Sequence, residues 1–209
     1  MRSPDHPGDD DVWLETLACL AAAATLAAAT GGTPLVLGAS IRQSPLGAPG
    51  ASFVTLRQHG RLRGCIGSLQ AHRALHDDVI ANARAAALDD PRFAPVSAAE
   101  VDTIELDVYV LSTPEALAFR DETDLVRRLR PGVDGLIVTY RDRRATYLPS
   151  VWAELPEPGA FLRHLRHKAG IADDVPAAAI TVQRYVTAHS APVEARPAAE
   201  LARTRGFIA

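Results

Sequence analysis

Cys65 is one of two cysteines in 209 residues. It sits in RLRGCIGSLQ, Arg61 to Gln70, where two arginines, a thiol and two glycines share one short run. Side chains alternate along a strand, so an extended conformation puts Arg61, Arg63 and Cys65 on one face and Leu62 and Ile66 on the other. A guanidinium two residues from a thiol favours the thiolate. Cys65 is therefore a candidate catalytic nucleophile, with Arg63 as its cation or as an anchor for an anionic ligand. A purely structural arrangement also suits these residues: a small cysteine filling a gap on a sheet, with Arg63 in an ion pair. Gly64 and Gly67 flank the thiol. Glycine inside a strand marks a bulge or the close approach of another backbone or a ligand, which makes both candidate binding positions.

Asp90 and Arg92 bracket Pro91. Arg92 could act as an anion clamp with Asp90 fixing the loop, or the turn could satisfy itself, with Asp90 capping backbone amides and Phe93 plugging the core. Lys168 is the single lysine among 22 basic residues. An ammonium offers a titratable amine where a guanidinium does not, so Lys168 is a third catalytic candidate; a cation near a helix C-terminus is the plainer alternative. His164 and His167 are spaced i, i+3, and His72 and His76 i, i+4. No carboxylate or cysteine completes a ligand set for either pair, so no metal site is expected.

These residues need elements to hold them. Ala51 to Arg57 and the Arg61 run form a hairpin around Gln58, His59 and Gly60. Val12 to Thr30 is a strong helix by propensity, with Leu14, Leu17 and Ala21 facing a core and Gly31 and Gly32 ending it. Its leader is acidic and lacks a basic n-region, and Glu15 interrupts it, so a buried helix is expected in place of a signal or a membrane span. Ala74 to Leu88 is an amphipathic helix stopped by Pro91. Val101 to Leu111 alternates as a half-buried strand, with Ile104, Leu106, Val108 and Val110 on one face and Glu105, Asp107 and Tyr109 on the other. A short helix over Asp121 to Arg130, a second hairpin over 135–148, a helix over Gly159 to Ala169 and a strand over Ile180 to Val186 follow. Residues 1–11 read as a loose start, 12–190 as one domain, and 191–209 as an irregular tail. Hairpins interspersed with helices, without βαβ regularity, give an α+β fold: a mostly antiparallel sheet flanked by helices.

A hydrophobic content of 47%, a charged content of 22% and a net charge of −3 are ordinary for a globular protein. They argue against bulk nucleic-acid or membrane-surface binding. Cysteine usage fits a reducing, cytoplasmic compartment. There is no Gly-rich phosphate loop, no GxSxG elbow and no CxxxCxxC iron–sulfur run.

LRGCIGSL at Leu62 to Leu69 resembles the signature of the AMME chromosomal-region domain family, called AmmeMemoRadiSam system protein A in prokaryotes. The resemblance continues in register through FVTL at Phe53, DPRF at Asp90, DVYVLSTPE at Asp107, GLIV at Gly135, YLPSVWAELP at Tyr147 and FLRHLRHKAGI at Phe161, covering roughly residues 12–190. It implies a larger and a smaller lobe with a cleft near the RGC segment. It also implies association with Memo-type and radical-SAM proteins in a modification pathway. It supplies no reaction and no cofactor. On it rests the expectation of a cleft-based enzyme or accessory subunit using Arg63 and Cys65; the alternative is a non-catalytic module binding an anion, RNA or a protein.

Overall fold

The helix expected from Val12 begins three residues earlier, at Asp9, and runs to Ala29 as α1. The computed structural model describes residues 9–209, with side chains from residue 12 onward. Most of the loose start expected over residues 1–11 therefore lies outside the described residues. α1 is apolar enough by length and composition to cross a membrane, but 67% of the window Val12–Ala29 is buried within the protein. Its alanines and leucines from Leu17 to Ala24 are buried all round, as befits the central helix of a core.

The chain divides into two compact units, residues 1–110 with 188–209, and residues 111–187. After α1 come α2 (Ala39–Arg42), β1 (Pro49–Gln58), β2 (Arg61–Gly67), β3 (Arg73–Ala74), α3 (Leu75–Leu88) and β4 (Ile104–Leu111). The next segment carries β5 (Glu115–Ala116), α4 (Glu122–Arg128), β6 (Gly135–Tyr140), β7 (Arg143–Tyr147), α5 (Pro158–Lys168) and β8 (Thr181–Tyr185). The chain then adds β9 (Thr187–His189), β10 (Val193–Glu194) and α6 (Ala195–Thr204). The fold is α+β.

In the larger unit the strands lie in the order β10-β4-β1-β2, with β3 on β1 and β9 on β4. Val54, Leu56, Leu106 and Val108 face a core shared with α1, α3 and α6. The first hairpin turns on two residues only. Gln58 pairs with Arg61, and His59 and Gly60 both have positive φ, 51° and 74°, which is the mirror-image turn that suits the twist of paired strands. The register then slips: Leu56 faces Gly64, but Arg57 faces Leu62, leaving Arg63 as the extra residue of a bulge. The bulge breaks the strict alternation read from the sequence. Leu62, expected on the same face as Ile66, is 43% exposed, whereas Ile66 packs against the core.

The smaller unit is a four-stranded antiparallel sheet, β5-β8-β6-β7, backed by α4 and α5. Trp152 stacks on Phe161 at 3.8 Å between centroids and donates to the Asp134 carbonyl at 2.7 Å. Asp121 caps α4 as expected, accepting from the Asp124 amide. Arg166 is buried on α5, where it donates to Glu122 at 2.6 Å and to the carbonyls of Ala172 and Val175.

The segment expected as an irregular tail is structured. α6 buries Ala195, Ala198, Ala199 and Ala202, and residues 206–209 fold back onto the loop before β1. The larger unit thus draws on both ends of the chain.

Candidate functional site

Cys65 sits on β2 opposite Thr55 of β1, on the sheet face turned away from α1 and α3. It is partly exposed. Its backbone is held from both sides by one ion pair. The Cys65 amide donates to Asp90 Oδ2 at 2.8 Å, and its carbonyl accepts from Arg92 Nη2 at 3.3 Å. Asp90, buried, also accepts from Arg92 Nε and Nη2 at 2.9 and 2.7 Å and from the Arg92 amide. The Arg92 hydrogen bonds, reinforced by the two amides, outweigh burial and hold the Asp90 carboxyl well below its usual range. Asp90 raises Arg92 in return. Asp90 and Arg92 thus form a self-satisfied turn stapled to β2. Arg92 Cζ lies 5.4 Å from the centre of the Phe93 ring. On the sulfur side, the Thr55 hydroxyl lies 3.5 Å from Sγ as a donor.

Arg63 is committed elsewhere. Lifted out of register by the bulge, its guanidinium donates to Glu100 at 2.9 Å and to the carbonyls of Ala94 and Pro95. Arg63, with help from the Ser97 amide and hydroxyl, holds the Glu100 carboxyl down to about 2. The expected pairing of Arg63 with the Cys65 thiol gives way to a carboxylate 37 residues further along the chain. The structural ion pair weighed at the outset is what the geometry contains.

The two glycines answer to packing. A Cβ on Gly64 would stand 2.2 Å from the Ala86 carbonyl oxygen of α3, and one on Gly67 would stand 2.2 Å from the Phe53 ring. Close approach of backbone and ring, with no ligand needed, accounts for both. Lys168 belongs to the smaller unit. There its ammonium donates to the Thr146 carbonyl at 3.1 Å and lies 5.0 Å over the Tyr147 ring. His167 faces Asp173 at 2.8 Å, and no group of three or more His, Cys, Asp or Glu residues able to hold a metal occurs among the described residues.

Sequence reasoning passed over a polar cluster on the face that carries Cys65. Arg57 of β1 donates to Asp107 of β4. Burial and then the Asp107 charge push the Tyr109 phenol up. For Arg57, burial pulls down, but Asp107 and Tyr109 outweigh it and the group is raised. Tyr109 stacks on exposed His189 at 5.4 Å. The outward alternation of Asp107 and Tyr109 was a signal of this face; the partner on β1 was not readable. A second cluster lies beneath the sheet. Asp78 of α3 is fully buried and accepts from the Ser52 amide and hydroxyl, Asn82, Ser68 and Arg73. It ties the start of α3 to β1 and to the segment leaving β2.

The motif order along this scaffold is matched by a family model described as AMMECR1 over residues 19–189. The chain belongs to the AMMECR1 family. The family resemblance carried by the RGCIG segment and its companions is borne out. A relative from Methanothermobacter thermautotrophicus is 42% identical over 123 residues, 58% of this chain and 64% of that one. Another from Thermofilum pendens is 40% identical over 119 residues, 56% of each chain. The match thus spans less than two thirds of the length of these relatives. The crystal structure of the uncharacterized protein PH0010 from Pyrococcus horikoshii shares the fold with a TM-score of 0.74 at 28% identity, covering 88% of this chain and 96% of that one.

Proposed function

We propose that this AMMECR1-family protein is a substrate-handling enzyme or accessory subunit of a cytoplasmic modification pathway shared with Memo-type and radical-SAM proteins, with Cys65 as its working group. One observation carries this reading. The Asp90–Arg92 pair grips both the amide and the carbonyl of Cys65 while leaving the thiol partly exposed. A thiol on a backbone fixed in this way is pre-organised, and ordering it costs little when a substrate arrives. The alternative, a non-catalytic module presenting Arg63 and Arg92 to an anion, an RNA or a protein, finds less support. Both guanidinium groups already answer carboxylates, and a bound anion would compete with them.

The test is thiol labelling followed by reconstitution. Cys19 is 1% exposed and serves as the internal control. In the native protein N-ethylmaleimide should modify Cys65 and spare Cys19, as read by peptide mass. Cys65→Ser should retain the circular dichroism spectrum and lose the product formed with the partner proteins. A native Cys65 that resists the reagent, or a Cys65→Ser protein that supports full product formation, removes the proposal.

A further inference from the structure

The larger unit carries a half-open pocket of about 550 Å³ that shares no residue with the Cys65 site. Its volume lies in the range of small-molecule sites, ~300–1,000 Å³. The depth comes from side-chain size. Ala27 and Ala28 on the last turns of α1 leave room that leucines would fill, and Ile80 of α3 and Leu35 extend the apolar wall.

The segment that lines one side of the pocket is pinned in place. The Gly38 amide donates to the Phe207 carbonyl, and the Ala209 amide donates to the Val36 carbonyl, each at 2.8 Å. Leu37 bridges to Ile208. A Cβ on Gly38 would stand 2.0 Å from the Gly206 carbonyl oxygen, so glycine is what lets the two segments close. Arg42 donates to the Leu37 carbonyl.

Charge at the wall is unbalanced. Arg42 and Arg84 line the cavity against a single carboxylate, Asp77, which lies 3.0 Å from His76. Arg84 is exposed on α3, and no carboxylate lies within ion-pair distance of it among the described residues. An apolar pocket with a free guanidinium fork at its polar end matches a hydrocarbon body carrying one planar anion.

We propose that this cavity binds a small amphipathic carboxylate, its apolar chain lying on Ala27, Ala28 and Ile80 and its carboxylate paired with Arg84. The probe is decanoate, titrated calorimetrically against the full chain, with 1-decanol as the uncharged comparator. Decanoate should bind saturably at one site. Arg84→Gln should weaken decanoate by about tenfold or more, the weight of one charge-assisted hydrogen-bonded contact, and leave 1-decanol unchanged. Ala28→Trp, which fills the cavity, should abolish binding of both. Arg84 is exposed, so its replacement leaves the fold intact, and unfolding curves check this. No saturable heat with decanoate, or equal decanoate affinity in the wild-type and Arg84→Gln proteins, overturns the assignment.

Discussion

Replacing Gly64 by alanine tests whether the Cys65 strand is positioned by the close approach of α3. The added Cβ would lie 2.2 Å from the Ala86 carbonyl oxygen and 3.1 Å from its carbon. Both are backbone atoms near the end of a helix, so no side chain can swing away. The oxygen must retreat by about 1 Å, which means that α3 moves off β2. Overpacking of this kind costs about 1–3 kcal/mol. The lower entropy of the unfolded chain returns only about 0.4–1 kcal/mol. A net loss of about 1.3 kcal/mol lowers the melting temperature of a protein this size by about 3–5 °C. Because the Asp90 turn follows directly from α3, the shift should also loosen the Cys65–Asp90 hydrogen bond and speed N-ethylmaleimide modification. Thermal unfolding by circular dichroism and labelling kinetics read the two effects. Gly60, where a Cβ meets nothing within 4 Å, is the comparison site; alanine there pays only for its positive φ. An unchanged melting temperature in Gly64→Ala refutes the packing argument, and so does a labelling rate that rises as much in Gly60→Ala as in Gly64→Ala.

Asp78→Ala should be the most damaging single change in the larger unit. It strands the buried Ser52 amide and takes the carboxylate from Arg73, at a cost of about 3–5 kcal/mol by urea denaturation; a loss below about 1 kcal/mol would show that the network is not a unit. Acid should weaken the larger unit in a defined window. Asp90 and Glu100 are depressed in the folded state, so the stability they contribute is complete above the unfolded carboxyl value of ~4 and falls as pH drops toward their folded values. The urea midpoint should therefore decline between about pH 4.5 and 2, and Glu100→Gln should flatten part of that decline; identical slopes in the two proteins would count against the Arg63 pair. In the smaller unit, Arg166→Ala leaves the Val175 carbonyl without its Arg166 donor and Glu122 without its partner, and should cost about 1–3 kcal/mol; a neutral result in equilibrium unfolding would contradict the geometry.

Much of the framework was legible because it is periodic. Ile104, Leu106 and Val108 alternate, Val79, Ala83 and Ala86 repeat at helical spacing, and each set is buried in the larger core. α6 escaped because its buried face is alanine. Alanine contrasts weakly with the polar side, and Pro197 reads as a breaker although the first turn of a helix tolerates proline. At the site, the unusual composition of the Arg61 run located the cysteine. The partners of its arginines were beyond reach, since Arg57 and Arg63 find their carboxylates 50 and 37 residues away. Alternation counts residues two by two, so it cannot register the extra one that the bulge at Arg63 inserts.

Residues 111–187 leave the larger unit after β4 and return at β9, which pairs with β4. During synthesis the inserted unit has its whole sequence available before the host unit does. The host must wait for α6 and for the isolated bridge at Ile208 before α1 finds its last neighbour. Until then the side of the alanine-rich first helix that packs on α6 stays uncovered on the growing chain, open to chaperones and to mispairing with other nascent copies.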